Sequence, residues 1–259
     1  MRVAEVTHRR LAESSVVGHL VARELRIRYR RSVLGILWAL AQPLTRLLIF
    51  SLLFTRVLPL DIENYPAFLF VGLTVWLWFA QGITTGATSA VERAELLLHP
   101  SLPRWSIPMV AVAGSSVDYL FSLVILLPFL LVTAGLPVTV LLLPLAWLLQ
   151  LVWMSGAALL LCSLNVFVRD VGKVVEMGVL VGFYASPVFY TPEQVPDGLS
   201  WAVTLNPVAH LLQIQRDLLL EGRLPGSATL VLVGGSGIAF LLLSAVVFHR
   251  LSPAFIDEV

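Results

Sequence analysis

Two charged residues lie inside long apolar segments of this 259-residue sequence, where an ionised side chain is costly and is a candidate for function. Arg46 is 12 residues into the apolar segment 34–58, and Asp118 is ten residues past Pro108. At 1.5 Å per helical residue, the two lie about 18 and about 15 Å from the same end of their segments. We predict that both side chains face the protein interior, where they form a structural pair or line a polar path.

Arginines are concentrated before the first apolar segment, where residues 1–33 hold eight of the seventeen basic residues. If this end is cytoplasmic, thirteen basic residues fall on the inner side, and only Arg56, Arg216 and Arg223 fall outside. This asymmetry predicts that both termini are cytoplasmic.

The segment 16–31 has a helical pattern, with Arg23, Arg26 and Arg30 on one narrow arc. Apolar residues occupy the opposite side. One interpretation is an interfacial helix whose arginines meet anionic headgroups or a cytoplasmic partner. The other is an anchor that only fixes the topology.

The cytoplasmic connection 87–108 is long for a simple loop and carries alternating charged and apolar residues. Its polar members are Glu92, Arg93, Glu95 and His99, and three prolines end it. The pattern predicts a short amphipathic helix followed by a rigid turn, and favours a docking element over a plain loop.

The external connection 191–226 contains a complete set of helix-end signals. Asn206 is a suitable N-cap, Pro207 fits the first helical position, and Gly222 fits the position after the last turn. Between them runs an apolar stripe, and we expect Gln213, Arg216 and Asp217 to face elsewhere. About fourteen residues cannot cross a bilayer. We therefore predict a re-entrant hairpin, with a helix resting on the outer leaflet as the alternative. The members of that apolar stripe are Val208, Leu211, Leu212, Leu218 and Leu219.

The elements that position these residues follow from composition. The chain is 58% hydrophobic and 13% charged, with mean hydropathy +0.89, which excludes a disordered chain and an ordinary cytosolic enzyme. The single cysteine, Cys162, excludes an intrachain disulfide, and a net charge of +1 gives no argument for nucleic acid. We predict an all-α membrane protein with a cytoplasmic segment 1–33 that holds the interface helix, and a domain 34–259 with the outer hairpin. Six spans are expected: 34–58, 66–86, 109–134, 138–166, 174–190 and 230–248.

Several kinds of chemistry are absent from the sequence. There is no phosphate-binding Gly-x-x-x-x-Gly-Lys-Ser/Thr loop, no His-Glu-x-x-His and no Gly-x-Ser-x-Gly. The five histidines are scattered, which predicts no metal site. The many aromatic residues indicate the usual interfacial belt, or alternatively an aromatic-lined path for a sugar. We therefore expect no enzyme in this chain and no energy source of its own.

Four short motifs resemble the permease subunits of type-2 ABC transporters that export polysaccharides such as O-antigen, capsule or teichoic acid. The first is the run RIRYRRSVLGILWALAQPL from Arg26 to Leu44. The others are NVFVRDV from Asn165, SPVFY from Ser186, and the Asn206-Pro207 pair followed by Arg216-Asp217. The resemblance extends over nearly the whole chain.

This resemblance implies a homodimer that binds two copies of a separate ATP-binding subunit, with ATP and Mg²⁺ on that partner and no cofactor in this chain. The substrate would be a lipid-linked polysaccharide that enters from the cytoplasm, with arginines near Arg28 receiving its anionic group. The protein would lie in the inner membrane of a bacterium, in contact with membrane lipids. The alternatives are an ABC exporter of drugs or lipids, and a polytopic membrane glycosyltransferase.

The resemblance also implies roles for particular residues. Those expected to couple to the ATPase are Glu92, Arg93, Glu95, His99, Arg169 and Asp170. Those expected at the substrate entrance and path are Arg28, Tyr29, Arg31, Leu34, Gly35, Trp38, Arg46 and Asp118. Those expected at the outer gate are Tyr184, Pro187, Phe189, Tyr190, Asn206 and Pro207.

Overall fold

The computed structural model describes residues 62–99 and 102–258, together with twelve residues between 18 and 56. All regular elements in these parts of the chain are helical. Most of the predicted interface helix and of the first predicted span, 34–58, therefore lies outside the described residues. The α-helices are α1 Tyr65–Glu92, α2 Ala94–Leu97, α3 Ser106–Thr133, α4 Leu143–Phe167, α5 Asp170–Ala185, α6 Ser200–Thr204, α7 Pro207–Arg216, α8 Ser227–Leu251 and α9 Phe255–Glu258.

Four helical segments in the described part of the chain are long and apolar enough to cross a membrane. They are Tyr65–Glu92, Ser106–Thr133, Val138–Phe167 and Ser227–Glu258. The predicted spans 66–86, 109–134, 138–166 and 230–248 fall within or almost within them. By contrast, α5 has 16 residues and is about 24 Å long, which is less than the roughly 30 Å hydrocarbon core.

The connection predicted as an amphipathic helix is shorter than expected. Helix α1 continues six residues beyond the predicted end of its span, because Ala87–Glu92 keep the same apolar face against the bundle. Only the four residues of α2 remain as a separate helix, after a bend at Arg93. This region, with the first turns of α3 and α5 and the last turns of α4 and α8, forms the 93–105 end of the bundle. The opposite end, which carries α6 and α7, is the hairpin end.

Helix α1 is the centre of the bundle and packs against α3, α4, α5 and α7. In its most apolar stretch, 67% of the residues are buried, compared with 17% in α8. Small residues allow the close approach of α1 to α4, since a Cβ on Gly82 or Gly86 would overlap Met154 or Ala158. Gly82-x-x-x-Gly86 is therefore a packing motif within one chain.

Candidate functional site

The chain breaks its helical path directly after α5, at Ser186, Pro187 and Val188. Proline disfavours the helical conformation of the residue before it, and Ser186 is accordingly extended, with φ −100° and ψ 146°. All three residues are buried, and their polar groups are at the hairpin end of an apolar bundle. Irregular backbone in such a place requires hydrogen-bond partners from the protein.

Arg216, the last residue of α7, supplies most of those partners. Its Nη1 donates to the carbonyl oxygen of Pro187 at 2.6 Å, and its Nη2 donates to that of Val188 at 2.7 Å. The planar guanidinium also lies over the ring of Phe68, with 3.5 Å from Cζ to the ring centroid. One arginine thus joins the break after α5 to the hairpin and to α1.

The prediction that Arg216 faces away from the apolar stripe is wrong, because only 2% of the residue is exposed. Gly72 makes this burial possible. A Cβ there would lie 2.5 Å from the Val188 carbonyl oxygen and 2.7 Å from Arg216 Nη2.

The helix-end signals predicted for the hairpin are confirmed. The Asn206 side chain accepts a hydrogen bond from the Val208 amide at 2.9 Å, and Pro207 is the first residue of α7. After α7 the chain makes a π-helical turn, Asp217–Glu221, and ends it at Gly222 with φ 65°. Asn206 also donates to the Ser186 hydroxyl at 2.8 Å, so the same cap holds the break after α5. All members of the predicted apolar stripe are buried: Val208, Leu211, Leu212, Leu218 and Leu219.

The predicted gate residues around the break form one aromatic group. The Tyr65 hydroxyl donates to the Phe189 carbonyl oxygen at 3.1 Å, and the Tyr190 hydroxyl donates to that of Tyr184 at 3.2 Å. The Phe189 ring lies 6.1 Å from that of Tyr184 and 5.1 Å from that of Tyr190, centroid to centroid. The structure therefore brings Tyr184, Phe189 and Tyr190 together beside the Arg216 contacts.

A chain of buried polar side chains connects the hairpin to three long helices. Tyr119 on α3 donates to Gln215 Oε1 at 2.8 Å, and Gln215 Nε2 donates to Gln150 Oε1 at 2.9 Å. Gln150 Nε2 then donates to the carbonyl oxygen of Val75 on α1 at 3.0 Å. Each of these side chains is satisfied inside an apolar bundle, which fixes α7 in one register against α1, α3 and α4.

A cavity of about 430 Å³, the groove, lies between α1 and α5. Towards the hairpin end its walls are aromatic, and towards the 93–105 end they carry an amide, a hydroxyl and a carboxylate. Phe50, from the segment before α1, also lines it and lies 5.9 Å from Phe183 between ring centroids. The aromatic members are Phe50, Trp76, Phe183 and Tyr184, and the polar members are Gln81, Thr84 and Glu176.

Glu176 is the residue of this cavity that the sequence analysis missed. It is exposed and lies six residues into α5, within the predicted span 174–190, about 9 Å from the start of the helix. Four exposed neighbours on the helix are apolar, Val174, Met177, Leu180 and Val181, each 61–68% exposed, and Lys173, one turn earlier, is exposed too. A single acid inside a predicted span was the signal that could have identified it.

The predicted coupling residues lie at the 93–105 end. Glu92, Glu95 and His99 are exposed, and Arg93 is partly buried at the bend before α2. Arg169 and Asp170 are exposed at the corner between α4 and α5, and Asp170 lies 3.5 Å from Lys173. This corner is held by Asn165, whose side-chain oxygen accepts the Gly172 amide at 2.8 Å.

The predicted path residues are described only in part. Asp118 lies partly buried in the middle of α3. Its expected partner Arg46 lies outside the described residues, and so do the residues expected at the substrate entrance. Those residues are Arg28, Tyr29, Arg31, Leu34, Gly35 and Trp38.

The helices and the site define a class: a multi-pass helical membrane protein with a broken helix and a half-polar groove. The family model for ABC-2 type transporters matches residues 15–220. The chain therefore belongs to the ABC-2 type transporter family.

Similar proteins are named as exporters of polysaccharides. The O-antigen export system permease protein RfbA of Klebsiella pneumoniae is 30% identical over 237 residues, which is 91% of each chain. Its namesake in Myxococcus xanthus is 30% identical over 243 residues, covering 93% of this chain and 94% of that one. The capsule polysaccharide export inner-membrane protein CtrC of Neisseria meningitidis serogroup A is 26% identical over 209 residues, 77% of each chain.

Proposed function

We propose that this chain is the membrane permease of an ATP-driven exporter that moves a lipid-linked polysaccharide out of the cytoplasm. The observation that carries this proposal is the groove between α1 and α5, in a chain similar over nine-tenths of its length to O-antigen export permeases. Family membership supports a separate ATP-binding partner, which we propose to be present in two copies with ATP and Mg²⁺.

The proposed topology has six spans in a bacterial inner membrane, with both termini in the cytoplasm. Four spans correspond to the long apolar helices, and the fifth is α5 together with the residues after its break. The first is the segment 34–58. The 93–105 end is then cytoplasmic and the hairpin end external, with α6 and α7 re-entering the outer half of the membrane. The hydrogen bonds that Arg216 and Asn206 donate to the break support burial at that depth.

The groove is the proposed path of the polymer, shared between two copies of the chain. Glu176 is exposed on the same helix face as Met177 and Leu180, and an acid facing lipid would be costly. A second copy across the groove would cover the apolar residues and leave Glu176 in a polar path. The aromatic walls suit this cargo, since flat ring faces stack on sugar rings, and the carboxylate and amide can accept or donate hydrogen bonds to hydroxyls.

Coupling would begin at the cytoplasmic end. We propose that α2, with Glu92, Arg93, Glu95 and His99, docks on the ATPase, and that the Arg169–Asp170 corner lies beside it. Closure of the ATPase would then move α1 and α5 together, because these two helices start or end at the docking elements and pack against each other. They are also the walls of the groove.

The test is reconstitution of the chain with the ATPase that copurifies with it, in liposomes of bacterial lipid. We expect lipid-linked O-polysaccharide to stimulate ATP hydrolysis and to appear on the far side of the membrane. Tyr184→Ala, at an exposed groove position, should reduce transport, whereas Leu232→Ala, at an exposed position on α8, should not. Stimulation by drugs or phospholipids and not by the glycolipid would instead indicate an exporter of those molecules. Failure of any ATPase to copurify would contradict the proposal.

The topology has its own test in single-cysteine variants of a Cys162→Ser background. A cysteine at Asp257 should react with a membrane-impermeant thiol reagent only from the cytoplasmic side, and one at Asp197 only from outside. Both positions are exposed. Labelling of both from one side would overturn the six-span arrangement.

A further inference from the structure

The chain folds back under the bundle after its last long helix. Helix α8 ends at Leu251, and a 3₁₀ turn, Ser252–Ala254, leads into α9. Phe255, the first residue of α9, is completely buried. A tail that only left the membrane would not place a phenylalanine in the interior of the 93–105 end.

Phe255 belongs to a buried cluster to which five other helices contribute. It shares one hydrophobic cluster with Leu97 of α2, Ile107 of α3, Val166 of α4 and Phe248 of α8, and each of these is at most 5% exposed. We call this the Phe255 cluster.

Two further contacts hold the tail in place. The Phe255 ring lies 6.1 Å from that of Phe167 and 5.4 Å from that of Phe248, both in edge-to-face geometry. Arg104, in the connection between α2 and α3, donates a hydrogen bond to the Ser252 carbonyl oxygen. The tail is thus attached to the connection on one side and to the end of α4 on the other.

The two elements joined in this way are the ones proposed to contact the ATPase. Leu97 is the buried residue of α2, and Phe167 precedes Arg169 by two residues. We propose that residues 252–258 form a bracket that makes α2 and the α4–α5 corner one rigid unit, with Phe255 as a positioning residue for coupling. This inference rests on the proposed function, since it assigns a mechanical role within the same coupling end.

The matched pair of variants is Phe255→Ala and Ile256→Ala, which remove neighbouring apolar side chains of the same short helix. Ile256 is 46% exposed, whereas Phe255 is fully buried. In the reconstituted complex, we expect Phe255→Ala to lower the polymer exported per ATP hydrolysed about three- to tenfold, the range of single-residue effects on coupling between sites. Ile256→Ala should match the wild type, and Phe255→Leu should recover most of the ratio.

The ratio of export to hydrolysis separates positioning from general stability, because partial unfolding reduces both activities together. A second measurement uses cysteines at Leu98 and Ile256, the exposed neighbours of Leu97 and Phe255, in the Cys162→Ser background, joined by a short bismaleimide. A rigid unit predicts that the crosslinked complex keeps its export activity.

Loss of export on crosslinking, or a Phe255→Ala ratio equal to that of Ile256→Ala, would overturn the bracket. A wild-type complex that hydrolyses ATP and exports polymer in the same assay would show that the proposed function still holds. Absence of export in the wild type would instead be a failure of the proposed function.

Discussion

The guanidinium of Arg216 lies 2.6 Å from the carbonyl oxygen of Pro187, and this contact joins the hairpin helix to the break in the helix that precedes it. The same side chain donates to Val188 and covers Phe68, so it connects three elements. A residue at the end of α7 thus holds the backbone at which α5 stops.

Replacement of Arg216 by alanine should destabilise the permease strongly, because two buried carbonyl groups lose their donors. Each unsatisfied buried group costs about 1–3 kcal/mol, which gives a loss of about 2–6 kcal/mol. Arg216→Lys should recover only part of this, since an ammonium group does not reproduce the two-pronged geometry. Thermal unfolding in detergent measures the effect. The control is Arg223→Ala, whose side chain is exposed and pairs with Glu221 at 3.0 Å; a similar loss there would refute the argument.

Gly72→Ala should be destabilising by about 1–3 kcal/mol, as expected for overpacking at a tight contact. The new methyl group would meet the Val188 carbonyl and the Arg216 guanidinium together. Gly235→Ala in α8 is the matched control, because it has no neighbour within 4 Å and should be neutral or stabilising in a helix. The double variant Gly72→Ala with Arg216→Ala should lose less than the sum of the two single losses. Strict additivity would show that the two sites are independent.

The glutamine chain should behave as one unit. Gln215→Leu leaves the Tyr119 hydroxyl and Gln150 Oε1 each without a partner, and we expect a loss of about 2–6 kcal/mol from the two orphaned groups. The double variant Tyr119→Phe with Gln215→Leu should lose less stability than the sum of the two single losses, because no unpaired Tyr119 hydroxyl remains. Ser122→Ala, which removes only a hydrogen bond within α3, is the control. Chemical denaturation of the purified permease gives these energies. Equal losses in the Ser122 and Gln215 variants would be inconsistent with a connected network.

Glu176→Gln should reduce export about tenfold while the amount of assembled permease stays the same. A hydrogen bond to a charged group is stronger than a neutral one by about 1.4 kcal/mol, which corresponds to this factor. The control is Glu193→Gln, at an exposed position in the Pro192–Gln194 turn. It makes the same change of charge at a position outside the groove and should export normally. Export in cells, measured with surface polysaccharide staining, and permease yield are the two readouts. Unchanged export in Glu176→Gln would remove this residue from the path.

Local signals in the sequence predicted much of the helical framework correctly. Continuous apolar length is enough to predict a spanning helix, and the caps at Asn206, Pro207 and Gly222 act within a few residues of themselves. The break at Pro187 is also a local effect, because proline disfavours the helical conformation of the residue before it. The end of α1 was predicted less well, because packing against the bundle, and not hydropathy, carries it to Glu92.

The chain by itself therefore determined that it is a helical membrane protein with a capped hairpin, and its motifs resembled those of polysaccharide export permeases. Only the tertiary structure decided that Arg216 is buried, that Gln150 and Gln215 pair, and that Phe255 closes the 93–105 end. Arg216 and Pro187 are 29 residues apart in the chain, Gln150 and Gln215 are 65 apart, and Phe255 and Leu97 are 158 apart. Hydropathy assigns a charged residue to the surface, whereas its actual position depends on which distant backbone groups are left without a donor.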